Sequence, residues 1–126
     1  MKVRGADFVA YYVTDLGRAV GFYRDVLKLP LAIYKPDWNW AEFSVDPTTL
    51  VLFGEYPGSP LRPRGGGAVG LALAVEEMTN AIAELAQHGV PLEDGPHELH
   101  TCFVAMIRDP DGNPIFLHQR KDGTFG

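Results

Sequence analysis

Residues 8–29 read FVAYYVTDLGRAVGFYRDVLKL, and residues 70–92 read GLALAVEEMTNAIAELAQHGVPL. The first stretch opens on a β-branched and aromatic run, Phe8 to Val13, which predicts a strand. Asp15 follows as an N-cap, a carboxylate placed to accept from the orphan N–H groups of a helix start. Leu16, Ala19, Val20, Tyr23 and Leu27 then recur with helical spacing, and Pro30 is the expected stop. The second stretch repeats the pattern. Gly70 to Val75 predicts a strand, Glu76-Glu77 lead into a helix, and Met78, Ala81, Ile82 and Leu85 fall on one face. Gly89 takes the position just past the helix end, where a positive φ favours glycine. A shift of 62 residues places Val13, Asp15, Leu16, Ala19 and Val20 on Val75, Glu77, Met78, Ala81 and Ile82. The chain is therefore an internal repeat.

Working outward, Ile33-Tyr34, Trp40 to Val45 and Leu50 to Phe53 read as further strands, parted by Pro36-Asp37 and Asp46-Pro47 turns. In the second half Phe103 to Ile107 and Ile115 to Gln119 flank the turn Asp109-Pro110-Asp111-Gly112-Asn113, in which Gly112 is expected at positive φ. His97 to Cys102 follows Gly95-Pro96 and reads as a loop. Residues 57–67, PGSPLRPRGGG, form a Pro/Gly-rich connector with no phosphate-loop pattern. The expected fold class is α+β: residues 1–126 as a single domain, with βαβββ modules over 6–56 and 68–120. Each helix buries one face of its sheet and leaves the other face for a different use.

The chain has 126 residues, 46% hydrophobic and 21% charged, which fits one globular domain and not a disordered segment. Its net charge is −5 and it has no Lys/Arg cluster, so nucleic acid and anionic membranes are rejected as partners. The single cysteine, Cys102, permits no internal disulfide. The apolar run near the N-terminus is too short for a signal-peptide core and no run approaches a membrane span. A reducing, cytoplasmic location is expected.

The two βαβββ modules, the Val13-Thr14-Asp15-Leu16 entry, Phe22-Tyr23 and Leu27-x-Leu29 in the helix, and the closing Asp-Pro-Asp-Gly-Asn hairpin resemble the vicinal oxygen chelate superfamily. That superfamily includes glyoxalase I, bleomycin-resistance proteins and extradiol dioxygenases. The resemblance covers residues 6 to about 120 and implies half-open curved sheets around a concave cavity, often completed by a homodimer. In metal-dependent members four strands each supply a His, Gln or Glu to a Lewis-acidic metal. The matching positions here are Phe8, Val51, Gly70 and Phe116, and none has a donor atom. The resemblance thus implies the fold without the usual metal site, and no cofactor is expected.

Strand alternation places Phe8, Ala10 and Tyr12 on one face, with Val51 and Phe53, then Gly70, Ala72 and Ala74, then Phe116 and His118. Trp38 and Trp40 lie beside this surface. The candidate ligand-binding residues are therefore Phe8, Tyr12, Trp38, Trp40, Phe53, Gly70, Phe116 and His118. An apolar concavity with few polar groups is the general form of a small-molecule site; packing in a core or a dimer interface is the alternative use of the same side chains. A bulky residue at position 70 is expected to fill the concavity and leave the fold intact. His118 is the weak catalytic candidate, an imidazole suited to general-base work. His97, Glu98, His100 and Cys102 are the one cluster of metal-capable types, though a zinc site needs three or four convergent ligands. The Asp109 turn is no calcium loop, because position 12 is Arg120 where a Glu is required.

Three functions follow. The first is a metal-free protein that binds a small apolar or aromatic molecule. The second is a lyase- or dioxygenase-type enzyme using a divalent metal at relocated ligands (His100, Cys102, His118) or acid–base chemistry around His118 and Tyr12. The third is a structural dimer whose concave face is filled by packing.

Overall fold

The structure is a computed structural model that describes residues 2, 4, 8–55 and 70–124. The chain divides into two compact units, Met1–Pro63 and Arg64–Gly126. In the first, β1 (Phe8–Tyr12) leads into α1 (Leu16–Gly21), whose last turn widens to a π-helical turn over Phe22–Val26. Then come β2 (Leu31–Lys35), a 3-10 turn (Pro36–Trp38), β3 (Trp40–Val45) and β4 (Thr48–Phe53). The second unit holds β5 (Leu71–Ala74), α2 (Met78–Gln87), β6 (Asp94–Glu98), β7 (Cys102–Arg108) and β8 (Pro114–Arg120). The connector 57–67 lies outside the described residues.

The two sheets have one topology. Their orders are β1-β4-β3-β2 and β5-β8-β7-β6. In each, the first strand pairs in parallel with the last, Ala10 beside Val51 and Ala72 beside Phe116, while the remaining pairs are antiparallel. This is the βαβββ unit twice, as the repeat predicts.

The helix faces are as expected. Asp15 accepts from the Arg18 N–H at 3.1 Å and caps α1. Leu16, Ala19, Val20 and Tyr23 are buried against Tyr11, Ala41, Phe43, Leu50 and Leu52, with the Tyr23 and Phe43 rings 5.9 Å apart. In the second unit Met78 and Leu85 are buried with Leu71, Leu73, Ala105, Ile107, Ile115 and Leu117. The Asp109 turn closes as predicted. Gly112 sits at φ 83°, and the buried Asp109 carboxylate accepts from the N–H groups of Asp111 and Asn113 at 2.9 and 2.8 Å.

Two expectations need correction. Pro30 is not what ends the first helix. The π turn bonds the Leu27 N–H to the Phe22 carbonyl, and the chain then turns at Lys28, φ 60°, two residues earlier. The segment after Gly95-Pro96 is also not a loop, because β6 pairs with β7 through Asp94–Met106, His97–Val104 and Glu98–Phe103. Pro96 is tolerated because β6 is an edge strand, where a missing N–H breaks no ladder bond on the outer side. The register slips between Asp94 and His97, around that proline.

Candidate functional site

The pairing registers decide which side chains share the helix-free face of the first sheet. β1 contributes Phe8, Ala10 and Tyr12, and β4 contributes Thr49, Val51 and Phe53. β3 contributes Trp40, Glu42 and Ser44, and β2 contributes Ile33 and Lys35. Three of the predicted residues meet on this face. Tyr12 and Phe53 pack edge-to-face with ring centroids 5.3 Å apart, and Trp40 tilts over Phe53 at 6.4 Å. Phe53 is buried between them, while Tyr12 and Trp40 are half-buried. Such aromatic contacts favour a fixed wall of rings.

Phe8 stands apart at the start of β1 and is 54% exposed. Trp38 is not on the sheet. It sits in the 3-10 turn, 68% exposed, with the Lys35 ammonium 4.6 Å from the centre of its ring. Asn39, at φ 54°, turns the chain from Trp38 into Trp40, and its amide donates to the Glu55 carbonyl at 3.0 Å.

The second sheet carries the other predicted group. Gly70, Ala72 and Ala74 lie along and just before β5, with Phe116 and His118 on β8 and Val104 and Met106 on β7. His118 is half-buried between Ala74 and Val104, two apolar neighbours. Position 70 is not the open space expected. A Cβ there would meet the Phe116 ring at 2.8 Å and the Pro114 carbonyl oxygen at 2.9 Å. Gly70 is thus a close-approach glycine that lets Phe116 lie over the backbone, and a bulky residue has no room without displacing that backbone.

The His97–Cys102 cluster disperses. Asp94 Oδ1 lies 2.9 Å from His97 Nε2, and Glu98 accepts from Lys121 Nζ at 2.8 Å. His100 is exposed in the turn between β6 and β7, whereas Cys102 is buried at the start of β7. Among the described residues no three His, Cys, Asp or Glu side chains group to hold a metal ion. Nor do the positions that the resemblance assigns to metal ligands fit one, since Phe8, Val51, Gly70 and Phe116 offer no oxygen, nitrogen or sulfur ligand from their side chains.

Elsewhere in the second unit an open groove of about 670 Å³ runs along α2, lined by Val75, Glu76, Glu77, Asn80, Ala81 and Glu84. It holds no histidine or aromatic ring. Its Glu77 is committed to capping α2, accepting from the Asn80 N–H at 2.7 Å, and those N–H groups of Asn80 and Thr79 hold the Glu77 carboxyl below its ordinary value. Glu76, Asn80 and Glu84 are exposed, so the groove is solvated helix surface.

Sequence reasoning missed Glu42, Val104 and Met106. The signal for Glu42 was present as one charge inside Trp40–Val45, WAEFSV. Without the β3–β4 register, that alternation does not say which neighbours the charge faces.

A model of the Glyoxalase/Bleomycin resistance protein/Dioxygenase superfamily matches residues 5–117. A lactoylglutathione lyase of Escherichia coli O157:H7 is 30% identical over 123 residues, covering 90% of this chain and 91% of that protein. YraH of Bacillus subtilis, itself uncharacterised, is 29% identical over 117 residues, covering 85% and 91%. Among solved structures, the antibiotic-binding protein TnmS3 from Streptomyces sp. CB03234 superposes with a TM-score of 0.76 at 28% identity, covering 96% of this chain and 99% of that one. With the family model spanning nearly the whole chain and the same βαβββ unit in both halves, this chain belongs to the Glyoxalase/Bleomycin resistance protein/Dioxygenase superfamily.

Proposed function

We propose that this chain binds a small aromatic or apolar molecule without a metal, as a single-domain subunit of a cytoplasmic homodimer. The observation that carries the reading is the Tyr12–Phe53–Trp40 ring wall, on the sheet face that also carries Phe8 and Val51, where the resemblance implies metal ligands. Rings held against each other lose little freedom when a flat ligand stacks on them, so they suit binding. Trp38 offers a further stacking surface in the same unit, and in the second unit Gly70, Phe116 and His118 are the residues proposed to contact ligand on the helix-free face of their own sheet. Similarity to an antibiotic-binding protein supports the same reading.

A second reading, an enzyme of the lyase type, draws on the 30% identity to a lactoylglutathione lyase. In it His118 acts as general base, a half-buried imidazole beside Ala74 and Val104; His97, across Val104 on the same face, is exposed and lies against Asp94.

Two measurements on the full chain separate them. Metal content by mass spectrometry, on protein purified without chelator, is expected to show no stoichiometric transition metal. Titration with small aromatic compounds is expected to shift tryptophan emission saturably, and Tyr12→Ala to weaken that binding about 2- to 10-fold. A stoichiometric metal, or a panel that produces no saturable shift, overturns the binding reading.

A further inference from the structure

We propose that Glu42 makes the aromatic face selective for an organic cation, a molecule with an aromatic body and an ammonium or guanidinium group. This rests on the small-molecule-binding reading above and adds a charge to its ligand.

The register surrounds Glu42 with neutral neighbours. Val51 lies directly across on β4, Ile33 across on β2, and Trp40 and Ser44 two residues away along β3. It is the one acidic residue on the four strands of this sheet. The side chain is half-buried, and among the described residues it has neither a hydrogen bond nor an ion pair. Its carboxylate oxygens are not among the buried unpartnered atoms, so they stand open to a ligand from solvent. The sheet's one basic residue, Lys35, sits diagonally from it, but its ammonium lies over the Trp38 ring. The acid is left available on a face whose rings also favour cations.

Those rings matter. The negative π faces of Trp40, Tyr12 and Phe53 attract a cation, and a carboxylate beside them adds a charge-assisted hydrogen bond. The net charge of −5 steers cations toward the protein. A divalent metal ion is not what this arrangement fits. Such an ion needs several oxygen or nitrogen ligands, and among the described residues no other His, Cys, Asp or Glu side chains group with Glu42 to hold one.

The test uses three probes of one shape and different charge: 2-naphthylmethylammonium, 2-naphthylmethanol and 2-naphthoate. Calorimetric titration of the full wild-type chain is expected to rank them cation, alcohol, anion, with the cation about tenfold tighter than the alcohol. Glu42→Gln, nearly isosteric, is expected to level cation and alcohol while leaving the alcohol's affinity unchanged. Glu42→Asp, which keeps the charge, is expected to retain the preference. Equal affinity of wild type for cation and alcohol overturns the cation proposal and leaves the binding reading standing. A preference that survives in Glu42→Gln assigns it to another group and overturns the role of Glu42. If none of the three probes binds, both readings fail together.

Discussion

The backbone N–H of Gly54 donates to the carbonyl of Asn39 at 2.9 Å, while the Asn39 amide reaches past Gly54 to the Glu55 carbonyl. The two residues touch so closely that a Cβ at position 54 would overlap the Asn39 amide. This contact ties the turn after β2 to the end of β4. Trp38 and Trp40 flank Asn39 and are the chain's two tryptophans, so indole emission reports on this corner.

Gly54→Ala is therefore expected to expel the Asn39 amide and lose its bond to Glu55, costing about 0.5–1.5 kcal/mol. Intrinsic fluorescence should move to longer wavelength as the corner loosens. An unchanged spectrum with an unchanged melting temperature would show that the Asn39–Gly54 contact does not hold the tryptophans.

Gly70→Ala is expected to destabilise the second module by about 1–3 kcal/mol, the range for overpacking. The added methyl meets both the Phe116 ring and the Pro114 carbonyl oxygen. Pairing it with Phe116→Leu should restore part of the loss, because one of the two collisions is removed and the backbone one remains. Urea unfolding of the single and double variants checks this; additive losses would refute the contact.

Gly112→Val is expected to destabilise the closing turn. The residue sits at φ 83° and its N–H donates to the Asp109 carbonyl at 3.0 Å. A left-handed conformation costs an L-residue about 1–2 kcal/mol, and more with a branched Cβ. A melting temperature equal to wild type would remove the turn assignment.

The stability curve should bend in acid because of Glu77. The N–H of Asn80, then that of Thr79, holds its carboxyl below the ordinary value of 4.5. A group with a lowered native pKa stabilises fully above its unfolded value and loses that contribution as pH falls through the native one. Thermal melts from pH 6 down to pH 3 should therefore decline more steeply for wild type than for Glu77→Ala. Parallel curves would mean that the cap contributes nothing that titrates.

Much of the fold is legible in the residues because its signals are local. Asp15 and Glu77 announce two helix starts, and Gly89 and Gly112 take positive φ, 73° and 83°, where turns require it. The failures are where a local rule met a long-range partner. Pro96 reads as a strand breaker, yet its strand forms because only an edge is asked of it. His97, Glu98, His100 and Cys102 are close in sequence, and the hairpin between β6 and β7 sets His97 against Asp94, Glu98 against Lys121, His100 in solvent and Cys102 in the core. Gly70 looks like empty space in a list of residues, and it is filled by a ring 46 positions further along the chain.

The sequence by itself determined the two βαβββ modules, the helix stripes they bury and the absence of side-chain donors at Phe8, Val51, Gly70 and Phe116. All of these depend on residue type and on periods of two and 3.6, which a chain carries locally. Only the tertiary structure decided that Tyr12, Phe53 and Trp40 form one wall, that Phe116 lies on Gly70, and that Glu42 stands beside Val51. Those relations belong to strand register, which is set by hydrogen bonds between distant segments, and a slip of one residue would turn every side chain to the opposite face.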